Sequence, residues 1–507
     1  MKSEVETVVI GSGFGGAIAA KRLTDAGREV VMLERGPWRD TVPNRSAGLT
    51  ALSPLPQGWK TLTHSLRSVR AKQFRQALLL NPDGFIELYH GEGINIVCSS
   101  SVGGGSHIYA AMLAKPAWPD YWNNRDSTIT ADLMERYYQE IIALLQARAV
   151  TEADKVPNNI AQTNYNGMLS TAGLGSPLIG IRLPERPGKV NKITDRHGIA
   201  RWECNYQNNS ILGSPSGAKT TLDFAVLIPA LKRGLDIQDR CEVTSLSKLT
   251  DAASNMRYEI HYRDFRDKSH RTIRAKQVVL AAGCLNTVRL LLTSRDRKGG
   301  LTGMPRLGHQ FGTNGGFFGL WQENSSFDLS QGLPLCGPFR ARDSASEHVQ
   351  VLRAAIQGVE KLPLPGFLRR WTKKNAFIVA LGKDNNNGLM QLDRGKLRIT
   401  YDKKKSPVYH EIDNEVRAIK QLTGTKIFAP KSPVTVQPLG GACLGTSNAN
   451  GVINACGEIF DNPGLYVVDA AALPESPGRP PSLTIAAWAA LVADRLIASL
   501  EAASAKP

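Results

Sequence analysis

The chain has 507 residues, of which 42% are hydrophobic and 21% charged, and its formal net charge is +17. This length exceeds what one hydrophobic core usually holds, so we expect two closely joined domains. The composition is that of an ordinary soluble globular protein, with no low-complexity tract and no clear internal repeat.

Cysteine usage and the N-terminus bear on the cellular compartment. The seven cysteines are an odd number, scattered along the chain, and they lack the pattern of a disulfide framework. No stretch approaches about 18 uninterrupted apolar residues, the length that a spanning helix needs. The first predicted strand begins too early to leave room for a signal peptide. We therefore expect a reduced, cytoplasmic protein.

The start of the chain predicts a strand, a glycine-rich turn, a helix and a second strand. The apolar run Glu6–Ile10 is typical of a buried parallel strand, and residues 17–26 predict a helix that Gly27 ends. Residues 29–34 predict the next strand. The turn between the first strand and the helix, residues 11–16, reads Gly-Ser-Gly-Phe-Gly-Gly.

Each part of this turn has a role in binding a dinucleotide. Gly11 makes the tight turn, Gly13 lets the backbone approach a pyrophosphate, and Gly16 lets the helix pack on the strand. The helix N-terminus offers N–H groups to the phosphates. Glu34, at the end of the second strand, is placed to bind the adenosine ribose.

Three later segments predict further parts of the same site. The triple glycine 103–105 lets the main chain lie against a flat ring or a phosphate, because glycine has no Cβ. Residues 277–287 predict a strand, a small-residue turn and a helix; residues 464–471 predict a strand and turn, before a helix from about 483 to 500. The predicted cofactor-binding positions here are Gly103, Gly104, Gly105, Ser106, Ala282, Gly283, Asp469, Ala470, Pro481, Ser482 and Leu483.

Two segments, residues 59–80 and 362–374, place Lys and Arg beside apolar and aromatic residues. They are suited to contact with an anionic membrane or attraction of an amphipathic acid, or they form an ordinary solvated basic rim. The chain shows no basic, aromatic-interleaved motif of an RNA-binding module, so we expect no nucleic-acid partner.

These motifs resemble those of the glucose-methanol-choline (GMC) oxidoreductases, and within them the cholesterol-oxidase-like branch. The resemblance runs nearly end to end. Besides the segments above it rests on residues 208–223, 312–315 and 438–441. It implies bound FAD and oxidation of an alcohol by hydride transfer to the flavin.

The resemblance also implies the fold class, α/β, with a Rossmann-like FAD-binding domain of the glutathione-reductase type. It further implies an inserted α+β substrate domain built on an antiparallel sheet. We predict residues 1–50, 85–125, 205–325 and 435–507 for the discontinuous FAD-binding domain. Residues 51–84, 126–204 and 326–434 are predicted for the substrate-binding domain.

The chain departs from the family at the catalytic pair. Relatives place a His just before Pro-Leu-Gly-Gly and a His or Asn before the last Pro near the C-terminus; here these positions hold Gln437 and Pro480. Glutamine cannot take a proton at neutral pH, and proline has neither a polar side chain nor an N–H. The glutamate of the cholesterol oxidases aligns with Ala355, near Arg353.

A metal site is also not expected. Some relatives carry four cysteines ahead of the Gly-Ala-Lys motif, which is found here at residues 217–219. This chain keeps one of the four, Cys204, and has Gln207, Ser210 and Ser214 at the other positions. We predict no metal.

Candidates for replacement chemistry are Gln437, His107 and Tyr109. Gln437 is expected beside the flavin. On an extended chain His107 and Tyr109 would share one face, where a histidine can act as acid or base and a tyrosine can stabilise an oxyanion. The alternative for both is a structural role. Cys284 and Cys443 are more typical of buried structural residues than of reactive thiols, and Arg353 could hold a substrate carboxylate or form an ordinary ion pair.

Three functions follow as hypotheses. The first is an FAD-dependent oxidoreductase that acts on a hydrophobic small molecule by hydride transfer, without the usual His/Asn mechanism. The second is a flavin enzyme with other chemistry, such as light-driven decarboxylation of a fatty acid. The third is a catalytically inactive flavoprotein that is a partner of another enzyme.

Overall fold

The structure is a computed structural model. It describes residues 2–55, 59–71, 77–123, 125–158, 165, 167–195, 197–207, 213–250, 255–342, 344, 349–358 and 363–504, with backbone only at 62, 63 and 336. Three of the segments named above are described only in part: residues 72–76 of 59–80, residues 208–212 of 208–223, which include Ser210, and residue 362 of 362–374 lie outside the described residues.

A seven-stranded sheet positions the nucleotide-binding turn. Its central strand, Glu4–Ile10, pairs in parallel with Val30–Leu33 and with His270–Leu280. Both faces of the central strand are covered, which explains its unbroken apolar run from Val8 to Ile10. The other strands are Asp236–Gln238, Cys241–Lys248, Tyr258–Asp264 and Leu465–Val467.

Two helices cover this sheet beside the turn, Phe14–Asp25 and Ser482–Ser504. The second helix is long and apolar enough to cross a membrane by length and composition, yet 61% of its most apolar window is buried inside the protein. Its Trp488 Nε1 donates a hydrogen bond to the carbonyl oxygen of Val467, 3.1 Å away, which ties the helix to the sheet. It is therefore a core helix of the nucleotide-binding fold.

A six-stranded antiparallel sheet forms the second layer. Its strands are, in spatial order, Leu169–Ser170, Leu335–Ala341, Val349–Ala354, Ala376–Gly382, Phe317–Gln322 and Lys426–Phe428. The predicted fold class, a Rossmann-like domain joined to a domain on an antiparallel sheet, is confirmed. The residue boundaries of the two domains stay a prediction.

Smaller elements complete the described chain. The five-stranded sheet consists of Val434–Thr435, Asn95–Ser99, Ile86–His90, Leu66–Arg70 and Leu78–Leu79. The other sheets pair Arg148–Ala149, Leu178–Ile179 and Met112–Leu113; Lys192–Thr194 and Ala200–Trp202; Leu389–Asp393 and Lys396–Thr400; Arg39–Asp40 and Ser53–Pro54. The other α-helices are Val42–Ser46, Lys60–His64, Ala131–Leu144, Ile228–Leu231, Cys284–Arg295, Gly366–Lys373 and Val408–Thr423. Short 3₁₀ or π turns are Gly104–His107, Glu152–Asp154, Asp223–Leu227, Lys403–Lys405 and Ala470–Ala472.

Candidate active site

A cavity of about 640 Å³ runs from the carboxyl ends of the parallel strands to one face of the six-stranded sheet. We call its first part the nucleotide end, which Glu34, Arg35, Glu242 and Arg289 line. The second part is the sheet end. It is lined by Phe318, Leu335, Ala354, Ala355, Gln357, Phe377, Val379, Leu381, Thr435, Gln437 and Pro480.

The glycines of the first turn divide into two kinds. A Cβ on Gly11 would lie 2.3 Å from the carbonyl oxygen of Ala281, and one on Gly16 would lie 2.0 Å from that of Gly11. These two glycines are thus required by the packing of turn, helix and strand. A Cβ on Gly13 would meet no described atom within 4 Å, and Gly13 lines the cavity.

The triple glycine lies directly against this turn. A Cβ on Gly104 would lie 2.6 Å from the Cα of Gly13, whereas one on Gly105 would meet nothing within 4 Å. Gly13 and Gly105 both line the cavity, so the cavity is bordered here by bare backbone. Such a border is what a close approach of phosphate or flavin needs, and these residues fit an FAD molecule.

Glu34 connects the two glycine turns. Its Oε2 accepts hydrogen bonds from Ser12 N and Ser12 Oγ, at 3.0 and 2.7 Å, and its Oε1 accepts from Gly36 N at 2.8 Å. Ser12 Oγ in turn accepts from Gly103 N at 3.0 Å. The carboxylate is 5% exposed and lines the cavity, in the position expected for a ribose-binding group.

The nucleotide end is also rich in arginine. Arg35 Nη2 lies 2.8 Å from Glu87 Oε2, and Arg289 Nη2 lies 3.6 Å from Glu242 Oε1. Arg35 Nη1 and Arg289 Nε are buried without a hydrogen-bond partner in the described part of the chain. Burial and the neighbouring Arg70 lower the pKa of Arg289. Both arginine side chains line the cavity, so an anionic ligand at the nucleotide end would lie close to two cations.

A third turn closes the cavity near the C-terminal strand. Asp469 accepts hydrogen bonds from Gly283 N at 2.8 Å, Thr287 Oγ1 at 2.5 Å and Ala471 N at 2.8 Å. Burial raises the pKa of Asp469 to about 6, although these donors oppose the shift. The carboxyl thus joins the predicted turns at Gly283 and Ala470.

The predicted cofactor-binding residues fall into two groups: residues that line the cavity, and residues behind the lining that hold it in shape. Those that line the cavity are Gly11, Gly13, Glu34, Gly104, Gly105, Ala282, Gly283, Asp469, Ala470, Pro481 and Ser482. Those outside the lining are Gly16, Gly103, Ser106 and Leu483. Ser106 Oγ, for example, donates to the carbonyl oxygen of Gly103 at 2.7 Å and accepts from Leu222 N at 3.0 Å, which fixes the shape of the triple-glycine turn.

Comparison with known families accounts for this arrangement. The profiles of the N- and C-terminal parts of the GMC oxidoreductases match residues 7–298 and 393–489. The chain belongs to the GMC oxidoreductase family. It is therefore an FAD-dependent oxidoreductase, as the sequence predicts.

Three oxidases are similar to this chain in sequence. Cholesterol oxidase of Mycobacterium tuberculosis is 26% identical over 96% of this chain and 90% of its own length. Cholesterol oxidase of Acinetobacter baumannii is 24% identical over 96% and 93%. The Arabidopsis thaliana long-chain-alcohol oxidase is 25% identical over 58% of this chain and 34% of its own length.

A fungal aryl-alcohol oxidase has a similar fold. Its structure superposes with a TM-score of 0.61 at 12% identity and covers 99% of this chain and 100% of its own. At this identity the likeness shows the fold alone.

His107 lies away from the cavity lining of this GMC oxidoreductase. Its Nε2 is 2.8 Å from the carbonyl oxygen of Val102 and 3.7 Å from Asp223 Oδ2, and the residue is 1% exposed. Burial lowers its pKa. The expectation that His107 and Tyr109 share a face of an extended chain was wrong, because residues 104–107 form a 3₁₀ turn.

Tyr109 does line the cavity, with its ring edge-on to Phe14 at 5.4 Å. Its hydroxyl donates to the carbonyl oxygen of Thr220 at 2.5 Å, and burial raises its pKa. Lys219 Nζ donates to the carbonyl oxygens of His107 and Tyr109 at 2.8 and 2.9 Å. The Tyr109 ring is therefore part of the cavity wall, while its hydroxyl is held by the backbone.

Gln437 lines the sheet end, and Asn314 fixes the orientation of its amide. Asn314 Oδ1 accepts from Gly478 N at 2.9 Å, and Asn314 Nδ2 donates to the carbonyl oxygen of Arg479 at 2.8 Å. The same Nδ2 donates to Gln437 Oε1 at 2.7 Å. Since backbone groups determine which end of Asn314 is oxygen, Gln437 must turn its oxygen to Asn314. Its Nε2, a hydrogen-bond donor, is the end left for the cavity.

The sheet end carries no charged side chain among its described lining residues. Arg353, the candidate for a substrate carboxylate, is 2% exposed, lies outside the lining and pairs with Glu323 at 3.3 Å. Ala355 lines the cavity. Phe377 and Leu320 are cross-strand partners, as are Leu320 and Phe428, so the apolar face continues to the exposed edge of the sheet.

The two cysteines near the site behave as buried apolar residues. Cys284 Sγ donates to the carbonyl oxygen of Gly440 at 3.3 Å, and Cys443 Sγ donates to that of Leu473 at 3.4 Å. Burial raises the pKa of Cys443 to about 12 and that of Cys284 well above its usual range. Neither thiol is ionised near neutral pH, so neither is a nucleophile.

Sequence reasoning did not assign Arg35, Arg289, Asn314 or Gln357 to the site. Asn314 stands in the Gly-Thr-Asn-Gly motif at 312–315, one of the segments that carry the family resemblance, and this motif was the available signal. Arg35 directly follows Glu34 and could have been assigned with it. Arg289 and Gln357 belong to no motif, and their positions at the cavity follow from how the helix Cys284–Arg295 and the chain after the strand Val349–Ala354 pack.

Proposed function

We propose that this GMC oxidoreductase oxidises a hydrophobic small molecule whose reacting oxygen accepts a hydrogen bond from Gln437 Nε2. FAD supplies the hydride acceptor when bound. As hydride leaves carbon, the hydroxyl proton of the substrate would pass to water, and Gln437 would stabilise the negative charge on the substrate oxygen without itself taking that proton. The hydrogen bond from Asn314 to Gln437 Oε1 is the observation that carries this proposal.

A donor at this position changes which substrates suit the site. A glutamine N–H stabilises an oxyanion or a carbonyl oxygen without itself taking a proton. Substrates that are more acidic or more activated than a simple alcohol therefore suit it best. The cholesterol and long-chain-alcohol oxidases among the relatives support the hydrophobic character of the substrate.

The uncharged sheet end supports hydride transfer over decarboxylation of a fatty acid. A buried carboxylate needs a cation or several donors, since its desolvation is otherwise costly. Among the described residues that line the sheet end none is cationic, and Arg353 pairs with Glu323 outside it. A neutral substrate needs no such partner.

The test follows the flavin absorbance of the dark-purified protein under anaerobic conditions. Sterols, long-chain alcohols and aryl alcohols are added in turn, and we expect one class to reduce the flavin. Gln437→Leu should retain FAD and slow this reduction at least about 100-fold, the usual loss when one oxyanion donor is removed. Asn314→Asp should also slow it, because a carboxylate cannot donate to Gln437 Oε1.

Other outcomes would identify the alternatives. An oxidised spectrum with every alcohol, together with loss of a fatty acid under illumination, would replace hydride transfer by light-driven decarboxylation. A bound flavin inert to both would indicate a partner role for another enzyme. Unchanged reduction in Gln437→Leu would contradict the role of Gln437.

We also propose that the segment 363–374 contacts an anionic membrane. Its helix, Gly366–Lys373, exposes Phe367 by 63% and Trp371 by 37%, next to four Lys and Arg residues. Phe327, 58% exposed, precedes Leu329, whose N–H donates to the carbonyl oxygen of Lys373. Aromatic residues beside cations favour insertion at an anionic interface.

Sedimentation with lipid vesicles tests this contact. Vesicles of phosphatidylcholine with phosphatidylglycerol should retain the protein, and vesicles of phosphatidylcholine alone should not. The double variant Phe367→Ser, Trp371→Ser should lose the binding, while Trp202→Ser, an exposed aromatic on a separate hairpin, should keep it. Equal binding to both vesicles, or retention by the double variant, would contradict the proposal.

A further inference from the structure

A buried carboxylate, Asp384, lies behind the turn that carries Asn314. Asp384 follows the strand Ala376–Gly382 by two residues and is 3% exposed. Its Oδ2 accepts hydrogen bonds from Thr313 N and from Thr313 Oγ1, both at 2.6 Å. Asp384 lies outside the cavity lining, so it can affect the site only through the residues that it holds.

The other oxygen of this carboxylate fixes its orientation. Asp384 Oδ1 accepts hydrogen bonds from Tyr401 Oη at 2.7 Å, from Ser406 Oγ at 2.7 Å and from Asn386 N at 3.2 Å. These donors, like those from Thr313, are neutral groups. A buried carboxylate bound only by neutral donors needs several of them. The surrounding chain therefore holds Asp384 in one orientation, with Oδ2 directed to Thr313.

The backbone of Asn314 is held from both sides. Its φ is +57°, in the left-handed region that side chains seldom adopt and that asparagine tolerates better than most residues. Asp384 binds the preceding residue, Thr313, and Gly382 N donates to the carbonyl oxygen of Asn314 at 3.1 Å. One short segment, residues 382–384, thus fixes the backbone of Asn314 and with it the direction of its side chain.

Two hydrogen-bonded connections link this turn to Gln437. Asn314 Nδ2 donates to Gln437 Oε1 at 2.7 Å. The carbonyl oxygen of Thr313 accepts from Thr435 Oγ1 at 2.9 Å, and Thr435 Oγ1 accepts from Gln437 N at 3.0 Å. The turn that Asp384 holds therefore contacts both the side chain and the backbone of Gln437.

We propose that Asp384 is a positioning residue, which holds Thr313 and thereby keeps Asn314 in place to orient the amide of Gln437. This inference rests on the proposed function for the chemical role of Gln437. A donor stabilises developing charge best when it is already oriented and need not move during the reaction. Loss of the Asp384 carboxylate therefore leaves Gln437 present but poorly oriented.

Anaerobic flavin reduction measures the effect, with the alcohol that reduces the wild-type flavin fastest. Asp384→Ala removes both hydrogen bonds to Thr313, and Thr313→Val removes one of them with little change of shape, which provides a second variant if Asp384→Ala fails to fold. We expect each variant to retain FAD and to be reduced at least about ten-fold more slowly, because small displacements of a reacting group are costly.

A double-mutant cycle with Gln437→Leu separates positioning from a general structural role. If Asp384 acts through Gln437, adding Asp384→Ala or Thr313→Val to Gln437→Leu should slow reduction by less than about two-fold further. Tyr401→Phe is the matched control, since it removes one donor to Oδ1 and leaves the bonds to Thr313. It should lower the melting temperature and change the rate by less than about two-fold. A full ten-fold slowing in the Gln437→Leu background would overturn the proposal.

Crystal structures of the wild type and of Thr313→Val test the positioning without turnover. We expect the hydrogen bond from Asn314 Nδ2 to Gln437 Oε1 to be lost in the variant. An unchanged bond would overturn the proposal, whatever the kinetics show. Loss of this bond, together with normal flavin reduction in Gln437→Leu, would contradict the proposed function alone and leave the positioning role of Asp384 intact.

Discussion

The two ends of the cavity offer a ligand different kinds of interaction. The nucleotide end has charged side chains, Glu34, Arg35, Glu242 and Arg289, and walls of bare glycine backbone. The sheet end has apolar side chains and two oriented amides, Gln357 and Gln437. The nucleotide end suits FAD, which charge and close backbone approach would hold there. On the proposed function, the substrate at the sheet end would be selected by shape and by neutral hydrogen bonds.

This contrast also separates two kinds of residue within one turn. Gly16 is required by the protein's own packing, whereas Gly13 borders space that the protein leaves open. Single substitutions can therefore damage the fold, the cofactor site or the substrate site separately. The largest effect is expected where the protein's own packing requires glycine.

Gly16→Ala should prevent folding of the nucleotide-binding domain. Its Cβ would lie 2.0 Å from the carbonyl oxygen of Gly11, and neither backbone can move without separating helix and strand. Soluble yield and circular dichroism of the purified protein measure this. Gly27→Ala is the control, because its Cβ meets no described atom within 4 Å; it should fold with a cost of about 1 kcal/mol from its positive φ. A fully folded Gly16→Ala protein would show that this packing is not tight.

Gly13→Ala should fold normally and lose FAD. The new Cβ meets nothing within 4 Å in the protein but enters the cavity where the pyrophosphate is expected. We expect FAD affinity to fall at least about 100-fold, since the close backbone approach is lost. FAD titration by flavin fluorescence and the melting temperature of the apoprotein measure the two effects. Normal FAD affinity in Gly13→Ala would show that the pyrophosphate does not lie against Gly13.

Arg289→Met should weaken FAD binding about ten-fold, because one charge-assisted partner for an anion is lost. The affinity should also depend less on salt than in the wild type. Arg263→Met is the matched control, since Arg263 Nε is likewise buried without a hydrogen-bond partner among the described residues but lies outside the cavity lining. Equal affinity in both variants would show that the arginines of the nucleotide end only support the fold.

The smallest expected effect is on the pH dependence of stability and comes from Lys219, whose Nζ supports the cavity wall at His107 and Tyr109. Burial lowers the pKa of Lys219 to about 7 from its usual 10.5. Between these values the unfolded chain binds one more proton than the folded protein, so stability should rise with pH by about 1 kcal/mol per unit. Below pH 7 both states are protonated and this dependence ends.

Denaturant unfolding at pH 7.5 and 8.5 measures the effect as the difference between wild type and Lys219→Met. The variant removes the titrating group and should lack this part of the pH dependence. The same slope in both proteins would show that Lys219 stays protonated in the folded protein.

Local sequence was sufficient for the nucleotide end. The strand Glu4–Ile10, the turn 11–16, the helix Phe14–Asp25 and the strand Val30–Leu33 agree with the predicted order within a few residues. The helix predicted from about 483 to 500 is found at Ser482–Ser504. Glycine spacing and apolar runs carry this information because the turn and its two strands are contiguous along the chain.

The geometry at residues 104–109 was not accessible to the same reasoning. Alternation along an extended chain placed His107 beside Tyr109, but consecutive glycines allow a 3₁₀ turn instead. The turn directs His107 to Val102 and Asp223 and Tyr109 to the cavity. Whether a histidine faces a ligand or a backbone carbonyl depends on contacts with segments more than 100 residues away, such as Asp223.

The sequence by itself determined the family, the FAD-binding scaffold and the absence of a histidine at position 437. Only the tertiary structure decided what the remaining polar groups can do. Gln437 has its nitrogen left as a donor because Asn314, 123 residues away, takes its oxygen, whereas Gln357 uses its nitrogen to hold the carbonyl oxygens of Tyr206 and Gly332. An amide carries both a donor and an acceptor, so its chemistry is fixed by its neighbours in space and not by its identity in the chain.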